Sequence, residues 1–169
     1  MSMKSTPWED AASMRARALE LFSEYDLARV RTPHELTTRI AEITGKPIRI
    51  EKLDDPALVH TTALWIEYEE LSKVVLRATD RVYYQVRGLH HEFGHMLWGH
   101  PGCEGLSMDD GIRRLAGAGQ VRGRVLMTPN SLSPLAGDAL HEGEAEAMGE
   151  IITRSLLRPE YFNDERIFG

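Results

Sequence analysis

The sequence predicts an α+β fold in which a small antiparallel sheet packs against a long central helix and a long C-terminal helix. Three observations indicate this class. A chain of 169 residues with 42% hydrophobic and 27% charged residues suits one globular domain, covering residues 1–169. Segments with strand patterning are confined to residues 47–78. Segments with helical patterning lie on both sides, over residues 1–45, 79–100 and 137–158.

Two helices are predicted in the N-terminal part. The first covers residues 8–29 and carries apolar side chains along its length. The second begins with a capping box, in which Thr32 precedes Pro33 and Glu35, and it ends at Gly45.

Three short segments predict the sheet. Residues 48–51 alternate between apolar and charged side chains, which is typical of a strand with one buried face. Residues 64–68 and 73–77 predict a hairpin that turns around residues 69–72.

The central helix is expected to begin at a cap formed by Thr79 or Asp80 and to run to about Trp98. After it, residues 102–136 hold several Gly and Pro residues and two clusters of arginine. They predict a loop or a mobile flap beside a cleft, with a short helix near Gly111–Ala116.

Composition excludes several classes of protein. The net charge of −6 argues against a phosphate-binding surface, so we expect no direct nucleic-acid binding. Cys103 is the one cysteine, which favours a reducing compartment over a disulfide framework. No signal-peptide core or membrane-spanning apolar run is present. We therefore expect a cytoplasmic protein without a membrane partner.

The central helix contains His91-Glu92-Phe93-Gly94-His95, an H-E-x-x-H motif. Residues four apart on a helix share a face, so His91 and His95 can bind one zinc ion. Glu92 points off that face and can serve as a general base on a water molecule. Tyr84 lies on the face of the two histidines, which predicts either a substrate contact or core packing.

A zinc hydrolase also needs a third protein ligand and an open fourth position. In the C-terminal helix, Glu142 and Glu146 are four residues apart and share a face. One can bind zinc while the other accepts a hydrogen bond from a zinc-binding imidazole and fixes its tautomer. The alternative is that these carboxylates form a solvated acidic face.

Other side chains compete for the place of third ligand. His100 follows His95 by five residues, about 140° round a continuing helix, and is expected to cap the helix end instead. His141 points about 100° away from Glu142 on the same helix. Glu104 and Cys103 lie in a Gly-rich loop just beyond the central helix.

The two motifs together resemble those of the ImmA/IrrE family of metallopeptidases, which have a zincin-type active-site helix. That family pairs an H-E-x-G-H helix with a later E-x-E-A-(N/D) helix. Here the second motif reads Glu142-Gly143-Glu144-Ala145-Glu146, with Glu146 where the family usually has Asn or Asp. The match covers roughly residues 60–100 and 140–157.

The resemblance implies a gluzincin-like site with one zinc ion per chain, bound by His91, His95 and Glu142, and with Glu92 as general base. It further implies a regulatory protease that acts on a separate protein, such as a helix-turn-helix repressor encoded nearby, in transcription regulation or stress response. The alternative is a zinc-containing regulatory module that sequesters its partner without cleaving it.

Overall fold

The computed structural model describes residues 7–102, 109–126 and 136–157, and within them the chain forms five α-helices and a four-stranded sheet. The helices are α1 (Pro7–Glu24), α2 (Pro33–Thr44), α3 (Val82–Trp98), α4 (Asp110–Ala116) and α5 (Ala136–Leu156). The strands are β1 (Ile48–Leu53), β2 (Thr61–Glu67), β3 (Ser72–Arg77) and β4 (Gln120–Leu126). The predicted α+β class is confirmed.

The sheet has the order β1-β3-β2-β4 and is mixed rather than purely antiparallel. The predicted hairpin is present, since β2 and β3 pair antiparallel with Leu64 opposite Val75. However, β1 pairs parallel with β3, because the chain returns through a short 3-10 turn (Pro56–Leu58) before β2 begins. The hairpin then places β3, not β2, beside β1.

The fourth strand lies in residues 102–136, which the sequence predicted as a loop or flap. Residues 109–126 instead contain α4 and β4, and β4 pairs antiparallel with β2. The local sequence does not indicate this strand, because Gly123 stands between Arg122 and Arg124. Such a run of arginine and glycine is untypical of a strand. The short helix predicted near Gly111–Ala116 is present, and the Asp109 carboxylate caps it by accepting from the Ile112 N–H at 2.8 Å.

Helix boundaries agree with the sequence where the capping signal is local. The Thr32 hydroxyl accepts a hydrogen bond from the Glu35 N–H at 3.1 Å, and Gly45 ends α2 with a φ of 74°. By contrast α1 ends at Glu24, not at residue 29, because Asp26 adopts a left-handed conformation with a φ of 56°. A separate 3-10 turn (Leu27–Arg29) follows.

The predicted cap of the central helix by Thr79 or Asp80 is wrong. Arg81 is the N-cap residue of α3, and its side chain makes no capping hydrogen bond. The Asp80 carboxylate instead accepts a hydrogen bond from the Arg77 Nε at 2.7 Å. The buried Gln85 amide in the first turn of α3 donates to the Asp80 carbonyl at 2.9 Å and to the Arg77 carbonyl at 3.2 Å, which ties the helix start to the end of β3.

Helix α3 lies between the sheet and α5. Its buried side chains pack against both, so that the three elements share one hydrophobic core. The larger core cluster is formed by apolar residues of the sheet and of four helices, among them Ile40, Trp65, Phe93, Met148 and Ile152. A Cβ at Gly94 would overlap the backbone carbonyl of Ala145, and one at Gly149 would lie 3.0 Å from the His90 carbonyl oxygen. These contacts show that α3 and α5 cross at a distance that only glycine allows.

No helix in residues 7–102, 109–126 and 136–157 combines the length and apolar composition required to cross a lipid bilayer.

Candidate metal centre

Three side chains from α3 and α5 bring potential metal-binding atoms together where the two helices cross. His91 Nε2 lies 3.0 Å from Glu142 Oε2, and His95 Nε2 lies 3.1 Å from Glu142 Oε1. The two Nε2 atoms are 3.1 Å apart. In a tetrahedral zinc site with ligand distances of about 2.0–2.1 Å, donor atoms are about 3.3 Å apart. The three side chains therefore can hold one metal ion.

The pKa shifts of Glu142 and His95 favour the forms that bind a metal ion. Burial raises the pKa of the Glu142 carboxyl, but hydrogen bonds from His91 and His95 outweigh it and hold that pKa far below the usual range. Burial lowers the pKa of His95. An ionised carboxylate and a neutral imidazole are the forms that bind a metal ion.

Glu92, the predicted general base, is fully buried beside the three donor atoms. Neither of its carboxylate oxygens has a hydrogen-bond partner among the described residues. Burial, together with the charge of Glu142, raises the pKa of Glu92 well above its ordinary value. A buried carboxylate without a partner is costly, so its presence beside a set of metal donors indicates a functional site.

Strand β4 forms the other wall of the space that holds Glu92. A Cβ at Gly123 would overlap the Glu92 carboxylate, so the strand backbone lies directly against this side chain. The glycine that obscured the strand in the sequence is thus explained by a contact with the H-E-x-x-H helix.

His91 is held from its second ring nitrogen by Glu146. His91 Nδ1 lies 3.0 Å from Glu146 Oε2, and the other carboxylate oxygen of Glu146 forms an ion pair with Arg87. A proton on Nδ1, donated to Glu146, would leave the Nε2 lone pair of His91 available to a metal ion. This is the contact predicted for the second glutamate of the pair.

His100 occupies a place that the sequence did not predict. Its backbone N–H does cap α3, donating to the His95 carbonyl at 3.0 Å, and Gly99 donates to the Met96 carbonyl at 3.1 Å. Because Gly99 is left-handed, with a φ of 66°, the helix does not continue and the His100 ring turns back toward His95. His100 Nδ1 lies 2.9 Å from His95 Nδ1. The helical angle that excluded His100 from the site does not apply past Gly99.

The remaining predicted candidates lie outside the donor set. The His141 ring stacks on His100 with ring centroids 4.2 Å apart. Tyr84 is 55% exposed and meets the Tyr83 ring edge-on, so it does not pack in the core. Glu104 and Cys103 lie outside the described residues.

Among the residues with described positions, His91, His95 and Glu142 are the one group of His, Cys, Asp and Glu placed to share a metal ion. Comparison of the chain with models of known families, with curated proteins and with solved structures gives no match. The arrangement of these side chains is therefore the basis for a functional assignment.

Proposed function

We propose that this protein is a cytoplasmic zinc-dependent metallopeptidase that regulates a partner protein by cleaving it. The observation that supports this most strongly is the position of Glu92, a buried carboxylate without a hydrogen-bond partner among the described residues, beside three converging metal donors. A purely structural metal site has no use for such a group, because its ligands close the coordination shell.

His91, His95 and Glu142 would hold the zinc ion. Two imidazoles and one carboxylate are the ligand set of catalytic zinc in many peptidases, which leaves one position open. When bound, zinc supplies a Lewis acid that polarises the scissile carbonyl and makes water a stronger nucleophile at neutral pH. The lowered pKa values of His95 and Glu142 favour the neutral imidazole and the ionised carboxylate, which are the forms that bind zinc.

Glu92 would take the proton of the attacking water and deliver it to the leaving amine. A general base works best when its pKa approaches the working pH, and burial moves the pKa of Glu92 in that direction. Its carboxylate lies at the contact between α3 and Gly123 of β4.

Strand β4 supports a peptide as the substrate. It is the last strand of the described sheet on this side, so its outer edge has backbone groups without a partner in that sheet. An extended peptide can add to such an edge by main-chain hydrogen bonds. Because Gly123 of β4 contacts Glu92, a peptide on this edge would pass close to the general base.

The resemblance to ImmA/IrrE metallopeptidases suggests a helix-turn-helix repressor as the partner. The acidic net charge of −6 fits a protein that affects transcription through another chain rather than by binding DNA itself. Sequestration of the repressor without cleavage is the competing outcome.

One experiment tests cleavage against sequestration. The zinc-loaded protein and its Glu92→Gln variant are each incubated with the repressor-like protein encoded beside the gene, with and without a chelator. We expect discrete repressor fragments that need the metal, and a loss of rate of about 10²–10⁴ for Glu92→Gln with zinc content unchanged. An intact repressor in a stable complex with both proteins would instead establish sequestration.

A further inference from the structure

We propose that His100 and Glu144 are positioning residues that hold His95 in the orientation and tautomer that a metal ligand requires. This inference rests on the proposed function, since it assigns a role toward the metal site. It differs from the ligand assignment, because neither residue contributes a donor atom to the group formed by His91, His95 and Glu142.

A chain of short contacts leads from His95 to the N-terminal helix. His95 Nδ1 lies 2.9 Å from His100 Nδ1, and His100 Nε2 lies 2.9 Å from Glu144 Oε2. Glu144 Oε1 lies 3.1 Å from Arg17 Nη2 in α1. The two histidines and the glutamate are buried, whereas Arg17 reaches solvent. Hydrogen bonds in such a buried chain are stronger than their exposed counterparts.

Only one arrangement of protons satisfies this chain when His95 binds a metal. The Nε2 lone pair of His95 then faces the metal, so its proton is on Nδ1 and is donated to His100 Nδ1. His100 Nδ1 must accept, so the proton of His100 is on Nε2 and is donated to the Glu144 carboxylate. The negative charge of Glu144 thereby favours the metal-binding tautomer of His95 through an intervening imidazole.

The surroundings of His100 keep its ring in place. The ring lies parallel to Trp98 within 4°, at a centroid distance of 6.3 Å, and stacks on His141 at 4.2 Å. The Trp98 Nε1–H donates to the Glu144 carbonyl at 3.1 Å, which joins the end of α3 to α5. These contacts orient the His100 ring, and none of them involves Glu92 or one of the three proposed metal ligands.

The two metal-binding histidines are supported differently. His91 contacts its carboxylate directly, and the Glu146 side chain is 50% exposed. His95 contacts its carboxylate through His100, and the Glu144 side chain is 8% exposed. Solvent screens the charge of Glu144 less than that of Glu146. We therefore expect loss of the contacts from His95 to Glu144 to weaken metal binding strongly.

A zinc competition assay with a chromophoric chelator tests this inference. His100→Phe keeps an aromatic ring between Trp98 and His141 but removes both nitrogens, and we expect zinc to bind about 10–100-fold more weakly. His141→Phe is the matched control, since it makes the same change in the neighbouring ring of the stack. We expect it to change zinc affinity by less than about threefold. Equal zinc affinities for wild type and a folded His100→Phe variant would overturn the inference.

A measurement on the unmodified protein makes the test independent of how the variant folds. Nitrogen-15 spectra of the zinc-loaded protein report which ring nitrogen of each histidine carries a proton. We expect a proton on Nδ1 of His95 and on Nε2 of His100. A proton on His100 Nδ1 would overturn the inference and leave the proposed function intact. A wild-type protein that binds no zinc would instead overturn the proposed function.

Discussion

The substitution Gly94→Ala should disturb the metal centre without touching any metal-binding side chain. Gly94 lies within the H-E-x-x-H motif, where a Cβ would overlap the carbonyl oxygen of Ala145 and lie 2.9 Å from its Cα. These are backbone atoms of α5, so they cannot move aside unless the helix moves. Since α5 carries Glu142, displacement of α5 would carry this ligand away from His91 and His95.

Two opposing terms determine the size of the effect on stability. Alanine in a helix interior is favoured over glycine by about 1 kcal/mol. An added group in a packed interior costs about 1–3 kcal/mol, and the upper end applies here because the neighbour is backbone. The difference is a loss of about 2 kcal/mol in the free energy of unfolding, or about 4–8 °C in melting temperature for a domain of this size. Metal ligands must be held within about 0.5 Å, so zinc affinity should fall by about tenfold or more.

Gly143→Ala is the matched control for this prediction. It is also a helical glycine, but a Cβ there would meet the sulfur of Met14 at 2.7 Å, the end of a flexible side chain that can rotate away. We expect unchanged or slightly raised stability and unchanged zinc affinity. Urea denaturation of the metal-free proteins and zinc competition on the same samples give both quantities. If Gly94→Ala matches wild type in both, close packing of α3 on α5 does not position Glu142.

Three further predictions follow from the site and its support. His91→Ala, His95→Ala and Glu142→Ala should each lose most of their bound zinc by metal analysis, and full retention by Glu142→Ala would refute its place as third ligand. Gly123→Ala should keep its zinc but lower kcat by about 10–100-fold, because the new Cβ displaces the Glu92 carboxylate; wild-type kcat would contradict that role for β4. Although burial raises the pKa of Glu67, hydrogen bonds led by that from Lys46 lower it overall. Ionised Glu67 should therefore stabilise the folded state at pH values above the ordinary glutamate pKa, and this contribution should be lost as pH falls through the lowered pKa. Glu67→Gln should reduce the free energy of unfolding, measured by denaturation, by about 1–2 kcal/mol at neutral pH and leave it unchanged in acid.

The parts of the fold that were predicted from the sequence depend on local signals. The start of α2 follows from the Thr32 hydroxyl and the Glu35 N–H three residues apart, and its end follows from Gly45. The hairpin of β2 and β3 joins neighbouring segments of the chain, so its pairing needs no distant partner. By contrast β4 pairs with β2 across more than fifty residues, and Gly123 is explained only by a contact with Glu92. No local pattern carries that information.

The residues of the candidate metal centre also divide into those that local patterns predict and those that depend on distant contacts. The convergence of His91 and His95 follows from helical spacing alone, whereas the choice of Glu142 depends on how α5 crosses α3. His100 could not be placed from helical angles, because Gly99 ends the helix in a left-handed conformation just before it. A glycine directly after an apolar helical run, followed by a polar ring, was the signal available for this turn.

The glutamates of α5 show why composition alone could not decide between a metal-binding helix and a solvated acidic face. A cluster of glutamates on a helix is usually a solvated face. Here, however, Glu142 contacts the two histidines of the motif, Glu146 contacts one of them from behind, and Glu144 contacts His100. These three carboxylates thus face His91, His95 and His100, and arginines of α1 and α3 pair with the two that are not proposed to bind metal. Because these pairings tie Glu142, Glu144 and Glu146 to specific partners, we interpret the three glutamates as a candidate metal ligand and two supports for the imidazoles rather than as a solvated face alone.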